Sequence, residues 1–428
     1  MPDIFIANID EAFYKDDIAA LPAPLVRKVK SLFSRFLFCL GKDDLIIVSS
    51  AIPRGFIDYY FMLEGRGGGP GRIIEMPDEE GLGQLVKLIL RDDKTMGFLR
   101  SLAAREDYRI EPFIETPFTV ELSEKVEIPL KRTAAEHILK GAIAKLNDKV
   151  FFKKTAVRLD IPVVPGFVAS CREEMFEFAE RAARECGGRL MLKNPYHAGG
   201  LGNYSGEYPD LMKNLPPFFD DGEIIEVIIE HFLEFDAILG SLVKITDSGC
   251  EFFGVDEQMS AGGRWCGFRY PCSLERGVVE KIERMSMEFA REACKMGARG
   301  ELNIDWGLTL PRPKAAGGGK KNEGARLYAL ESNFRHNGFG IILNYAVRYF
   351  GTRDKCIIYN ENVPVTHSNG SLERVLERLK PVLIDRPGLG EGVILISPPH
   401  EFRCALAAAA DDPARAREIY ETVERRLK

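Results

Sequence analysis

Between residues 301 and 308 apolar side chains recur at every second position. Leu302, Ile304, Trp306 and Leu308 lie on one side of an extended strand, and Asn303 and Asp305 on the other. A second run, Leu327 to Arg335, carries Glu331, Asn333 and Arg335, which share one face of an extended chain. Pro311 to Ala325 between them is rich in Gly, Lys and Pro, which predicts an antiparallel pair joined by a long exposed loop. A pivot inside Gly317-Gly318-Gly319 sets Asp305 opposite Glu331 across the ladder. Two facing carboxylates repel unless a cation lies between them. Oxygens of Asp305, Glu331 and Asn333 suit Mg²⁺, which takes one or two carboxylates and leaves its other positions to water and phosphate. Arg335 would then grip phosphate through its planar fork. The same pattern also fits the polar face of a solvated hairpin, so the rest of the chain decides between the two.

Residues 1–130 read as α/β, with strands at Leu45–Ser50 and Arg72–Glu75 and a helix at Gly83–Leu90. Gly65 to Gly71 is glycine-rich, but no Lys-Ser/Thr follows and no helix opens after it, so a flexible connection is expected. A helix over Thr133–Leu146 begins a second segment that reaches Gly351. A further helix starts with Asn147 or Asp148 as cap and stops before Ile161-Pro162-Val163-Val164-Pro165-Gly166; its lysines read as a solvated face. The third segment, 352–428, holds a helix at Ser371–Leu379, a buried strand at Gly392–Ile396 and a closing helix with Asp412 and Pro413 at N-cap and N1. No internal repeat is found, and Lys314–Lys321 is expected to be mobile.

A chain of 428 residues suggests two or three domains. With 58 basic and 64 acidic residues the formal charge is −6, and no basic stretch is interleaved with aromatics, which argues against a nucleic-acid partner. An anionic ligand must therefore be held by local charge. Nine cysteines, an odd number without CxxC spacing, point to free thiols in a reducing compartment. No basic-then-apolar leader and no membrane-length apolar run is found, so a cytoplasmic protein without a membrane partner is expected.

Arg189–Lys193 predicts a short strand ending in a lysine, followed by a loop with Gly199, Gly200, Gly202, Ser205 and Gly206. Closely spaced glycines let backbone N–H groups approach phosphate, and a strand-end lysine adds a point charge for the same anion. The Walker pattern is absent, and the dinucleotide pattern fails at Ser205; a plain glycine turn is the alternative. Glu223 to Asp236 fits the polar face of a helix, yet the density of Ile224, Ile225, Val227, Ile228 and Ile229 favours a strand. As a strand it could present backbone groups to a purine edge and acidic side chains to a ribose. His197 and His336 lie beside these loops, but no histidine has a partner at metal-ligand spacing, so both are expected to be hydrogen-bonding neighbours.

This order of parts (capped lysine helix, Ile-Pro-x-x-Pro-Gly, strand lysine, glycine loop, acidic hinge, Asp305 strand, Glu-x-Asn-x-Arg) resembles the ATP-grasp superfamily over about residues 147–350. The resemblance implies two α+β lobes gripping ATP, a nucleotide lobe over about 147–230 and a metal-binding lobe over 231–351. An α/β pre-ATP-grasp domain would precede them and a small α/β segment would follow. It implies Lys149 and Lys193 as nucleotide lysines, the Gly199–Gly206 loop over the phosphates, Glu230 and Leu233 beside adenine, and Asp236 on the ribose. Asp305, Glu331 and Asn333 match the Mg²⁺ ligands and Arg335 the phosphate arginine. The loop lacks the Gly-Ser-Ser form of D-alanine ligases, and Asn303 stands where some members carry a basic residue. The flanking segments look like those of pheganomycin-type peptide ligases. The implied activity joins a carboxylate, from an amino acid or peptide, to an amine through an acyl phosphate, with kinase and non-catalytic scaffold as alternatives. Arg264 and Arg269, beside Trp265, are candidates for holding the substrate carboxylate. A homodimer is left open.

Overall fold

The computed structural model of the chain describes residues 1–12, 23–65, 73–76, 84–105, 107–196, 202–214, 226–261, 264–311, 325–366 and 370–428. Gly199, Gly200, His197, Glu223 to Ile225, most of the 65–71 glycine stretch and the loop around Gly318 lie outside these residues.

Short runs make parallel strands in the first part of the chain, of which Leu45–Val48 is wholly apolar. β1 (Asp3–Ile6), β2 (Leu45–Val48), β3 (Ile73–Glu75) and β4 (Arg109–Pro112) form a parallel sheet of order β3-β2-β1-β4. β1 and β2 are buried along their whole length, as a sheet covered on both faces requires. The helix expected over Thr133–Leu146 is divided into Ala135–Leu139 and Ala142–Leu146, because Gly141 takes φ +80° and closes the first piece. Asp148 caps the next helix, Lys149–Arg158, by accepting from the N–H groups of Val150 (2.7 Å) and Phe151 (3.1 Å).

β5 (Gly166–Ala169), β6 (Arg189–Lys193), β7 (Asn203–Glu207) and β8 (Val227–His231) form an antiparallel sheet of order β5-β8-β6-β7. The β-branched run thus chooses strand over helix. The helix Arg172–Cys186 covers this sheet through Met175, Ala179 and Ala182, and together they enclose a small core of their own. Ser205 and Gly206, expected in a loop, belong to β7, paired with Met191 and Leu190. Cross-strand pairing with β6 fixes them as strand.

The third sheet comprises β9 (Ala237–Thr246), β10 (Gly249–Ala261), β11 (Arg264–Tyr270), β12 (Gly300–Thr309), β13 (Arg326–Phe334), β14 (Cys356–Pro364), β15 (Gly392–His400) and β16 (Arg403–Ala410). It is antiparallel, in the order β13-β12-β9-β10-β11-β14-β16-β15. The sequence division at 351 crosses this sheet without a break: β14 pairs with β11, so the last segment supplies three of its strands. Helical propensity favours an alanine-rich run such as 405–410, yet it forms β16. Every residue of β16 after Arg403 is buried between β14, β15 and the layers above and below, where small side chains fit. The N-terminal sheet, the helix Lys149–Arg158 and the large sheet share one continuous core, separate from that of β5–β8. Among the described residues no helix is long and apolar enough to cross a membrane, and all nine cysteines are free thiols.

Candidate active site

β12 and β13 pair in the expected register, Asp305 opposite Glu331 and Asn303 opposite Asn333, with a bulge between Asp305 and Trp306. The alternation has a physical anchor on the other face. Leu302, Ile304 and Trp306 are buried in the large core, and the Trp306 indole donates to Ser241 Oγ (2.9 Å). The polar face therefore has to look the other way, into a cavity of about 470 Å³ lined by Asn303, Asp305, Glu331, Asn333 and Arg335. Arg335 lies one residue beyond β13, with its guanidinium donating to Asn333 Oδ1 (2.6 Å) and to Asn147 Oδ1.

Burial and the facing charge of Glu331 push the Asp305 carboxyl up to about 8. Gln258 Nε2 donates to its Oδ1 (2.7 Å) and Asn333 Nδ2 to its Oδ2 (3.3 Å). Glu331 goes the other way: burial raises it, but Lys149, Lys193 and Arg335 together hold it below the ordinary carboxylate value. Lys149 Nζ is 3.3 Å from Glu331 Oε2. One carboxylate is thus charged and matched by cations, while its partner is short of positive charge. Among the described residues no group of three His, Cys, Asp or Glu side chains gathers around a metal position. Two carboxylates and a carboxamide are nevertheless the donor set that Mg²⁺ accepts, since it retains water and phosphate oxygens as its other ligands.

The lysines of the helix Lys149–Arg158 are not all solvated, contrary to the sequence expectation. Lys149 and Lys153 are four residues apart on the inward face and are 5% and 7% exposed, whereas Lys154 pairs with Glu226 at the surface. Lys153 Nζ donates to Val164 O (2.6 Å) and to Glu230 Oε1 (2.7 Å), and Lys193 Nζ lies 2.6 Å from Glu230 Oε2. Burial alone would raise the Glu230 carboxyl, but Lys193 and Lys153 hold it below its usual value. Its carboxylate is a strut between the lysines, so only its backbone is left for a flat ligand edge. Lys193, Glu230 and Leu233 line the cavity, next to Val164, Met191 and Ile238.

Other expected residues lie elsewhere. Asp236 is exposed, is not among the lining residues, and accepts from Leu310 N–H (2.7 Å). Gly202 forms the end of the β6–β7 turn at φ +71°, and Ser205 is exposed on β7. Arg264 and Arg269 are exposed and do not line the cavity; Arg269 pairs with Glu257 (3.5 Å). Alternation along β11 turns Trp265 toward the cavity and its neighbour Arg264 away, and the register shift between Met259 and Ser260 leaves Arg269 opposite Glu257 rather than on the face of Gln258.

Sequence reasoning passed over Lys153, Asp256, Gln258, Arg35 and the charged neighbours of His336. Asp256 lines the cavity beside Asp305 and accepts from Gly240 N–H (2.6 Å), and burial and the charge of Asp305 push its carboxyl well up. Gly240 is required there, since a Cβ would stand 2.5 Å from the Asp256 oxygen. His336 is a hydrogen-bonding neighbour, lying between Glu111 (3.2 Å) and Glu301 (3.4 Å). Only the i, i+4 spacing of Lys149 and Lys153 offered a signal in the sequence.

No family model and no curated protein matches the chain. Solved structures do. N5-carboxyaminoimidazole ribonucleotide synthetase from Thermus thermophilus superposes with a TM-score of 0.56 at 14% identity, over 100% of this chain and 98% of that one. The N5-carboxyaminoimidazole synthase of Aspergillus clavatus, solved with ADP and an aminoimidazole ribonucleotide, gives 0.56 at 12% identity over 100% and 99%. The biotin carboxylase domain dimer of Hydrogenobacter thermophilus 2-oxoglutarate carboxylase, solved with MgADP, ADP and bicarbonate, gives 0.59 at 15% identity over 98% and 89%. The fold is ATP-grasp. In this fold the cavity lies between two sheets: Met191, Lys193 and Glu230 come from the small sheet, and Asp305, Glu331 and Asn333 from the large one.

Proposed function

We propose that the chain is an ADP-forming ligase that uses ATP and Mg²⁺ to join a carboxylate to an amine through an acyl phosphate. The observation that carries this reading is the pairing of Asp305 with Glu331 on a cavity wall where Lys149, Lys193 and Arg335 all act on Glu331. Such a patch suits a triphosphate approached by a second anion. Mg²⁺ on Asp305, Glu331 and Asn333 would neutralise phosphate charge when bound. Lys193 and Arg335 offset the remaining repulsion as a substrate carboxylate oxygen attacks the γ-phosphorus and ADP leaves. Asn147 and Asn333 hold the Arg335 fork in place, and Glu230 holds Lys193. The backbone from Glu230 to Leu233 flanks adenine.

Solved ATP-grasp structures that hold ADP or MgADP support the nucleotide part of this reading. For the acid we propose an amino acid or peptide, as in the peptide ligases that the flanking segments resemble.

The test is an ADP-release screen with pooled amino acids, short peptides and bicarbonate, each with ATP, Mg²⁺ and hydroxylamine. A hydroxamate formed in step with ADP is expected from the trapped acyl phosphate. A product that keeps the γ-phosphate as a stable ester would make the protein a kinase instead.

A further inference from the structure

The cavity holds a cation that the proposed chemistry does not use. Arg35 lines it from the short helical segment Phe33–Cys39 of the N-terminal domain and is 6% exposed. A buried guanidinium carries several N–H donors and is costly to leave short of acceptors. The carboxylate that pairs with it, Glu361 on β14, is 3.6 Å from Nη1, outside hydrogen-bond range. Burial pushes the Tyr359 hydroxyl up while Arg35 pulls it back, yet neither that hydroxyl nor Arg35 Nε has a hydrogen-bond partner. Of the guanidinium nitrogens only Nε is sealed, so the Nη atoms are what Arg35 turns to the cavity. A helix begins against the same place. The Trp265 ring lies 6.0 Å from that of Tyr359, and it covers Gly338 so closely that a Cβ there would stand 2.6 Å from it. Gly338 and Phe339 line the cavity and open the helix Gly338–Phe350. Asn337 caps this helix by accepting from Gly340 N–H (2.8 Å), which leaves the N–H groups of Gly338 and Phe339 without an intrahelical acceptor and adds the positive end of the helix dipole.

We infer that Arg35 and the start of the helix Gly338–Phe350 hold a second carboxylate of the acid, so that the proposed ligase acts on a dicarboxylate. One carboxylate meets the γ-phosphate beside Arg335, and the other is gripped by the Arg35 fork and the Gly338 and Phe339 N–H groups. The inference rests on the ligase reading above. Arg335 lies just before this helix, so the phosphate end and the second anion site follow one another along the same wall. Phe113, Trp265 and Phe339 line the cavity there and supply apolar surface for the methylene chain joining the two groups. A monocarboxylate of the same length would desolvate Arg35 without matching it, and a site built to bond a group rejects the analogue that lacks it. Arg35 thus does from the N-terminal domain what Arg264 and Arg269, exposed on β11, do not. The acid is then an acidic amino acid, or a peptide that carries one.

Calorimetry with Mg²⁺ and a non-hydrolysable ATP analogue tests this, using succinate, glutarate and adipate against butyrate, valerate and hexanoate as length-matched probes. At least one dicarboxylate is expected to bind at least about tenfold more tightly than its monocarboxylate, and Arg35→Gln to remove that preference while leaving the monocarboxylate unchanged. Because Arg35→Gln alone strands Glu361, Arg35→Gln/Glu361→Gln removes both charges together and is expected to lose the preference as well. The nucleotide titration of each variant reports whether its site is folded. With ATP and hydroxylamine, the preferred dicarboxylate should release ADP and give a hydroxamate. If wild-type protein binds nucleotide but prefers no dicarboxylate, or if the folded variants keep the preference, the Arg35 site is wrong and the ligase reading stands. A dicarboxylate that binds through Arg35 yet releases no ADP would assign the site to the carboxylate of the amine and overturn the inference. If wild-type protein binds no nucleotide, the ligase reading falls and the dicarboxylate with it.

Discussion

Arg335 and Lys193 differ in what supports them, and this sets what each substitution should do. Arg335→Ala removes a fork held by Asn147 and Asn333, so nothing else can take its place at the phosphate. Loss of such a donor costs about 3 kcal/mol, or about two orders of magnitude in ADP release. Near-full turnover by a folded Arg335→Ala protein would exclude it from the mechanism. Lys193→Ala should lower turnover comparably yet fold, because Lys153 still pairs with Glu230. His336 makes a different prediction. Burial pulls its imidazole down, but Glu111 and Glu301 raise it above the ordinary 6.5. A raised folded-state value means its stabilisation is fully present below about 6.5 and is lost as pH rises through that higher value. Glu111 is held low by His336 and Lys131 in spite of burial, so its share is present above its ordinary 4.5 and is lost only in acid. His336→Gln should therefore cost most between about pH 5 and 6.5, with the gap to wild type narrowing on the alkaline side. Urea unfolding of both proteins across that range checks it; a gap independent of pH would show that the imidazole is not charged.

At the scale of elements, the small lobe hangs on close strand contact at one end of β5. Gly166 takes φ +154°, and a Cβ there would stand 2.0 Å from Ile229 O. Gly166→Ala should thus part β5 from β8 rather than merely crowd it, at a local cost of at least about 2 kcal/mol. β8 carries Glu230, the strut for Lys153 and Lys193, so nucleotide affinity should fall too. Hydrogen exchange at residues 227–231 is the direct measurement, and unchanged protection there would sink the argument. The β12–β13 bulge is a second case. It falls immediately after Asp305, so the strand re-registers only beyond the carboxylate and leaves the pairing with Glu331 intact.

For the whole molecule, the separation of two cores predicts separate unfolding. The β5–β8 core is small, whereas the N-terminal sheet and the large sheet share theirs. Both tryptophans, Trp265 and Trp306, belong to the large core. Far-ultraviolet circular dichroism should therefore begin to change at lower urea than tryptophan fluorescence, because it also reports the small lobe. A non-hydrolysable ATP analogue with Mg²⁺ should draw the two curves together by binding only when the small lobe is folded. Coincident curves without nucleotide would mean that the lobes unfold as one.

Periodicity was enough to read the β12–β13 hairpin, its register and its polar face, because alternation has a period of two and the glycine run marks the pivot. The Asp148 cap and the β8 strand were legible for the same local reasons. Which face of a strand meets the cavity was not, and Arg264 and Arg269 turned out on the far side while Trp265 faces in. Lys153 was indistinguishable from a surface lysine until Glu230, 77 residues away, was brought against it. The alanines of β16 became strand because β14 and β15 enclose them. Arg35 and Arg335 meet one cavity only because the N-terminal sheet docks on the large one. Local pattern determines how each segment repeats, but pairing and burial between distant segments decide which side chains lose water together, and the chemistry of the site follows from that.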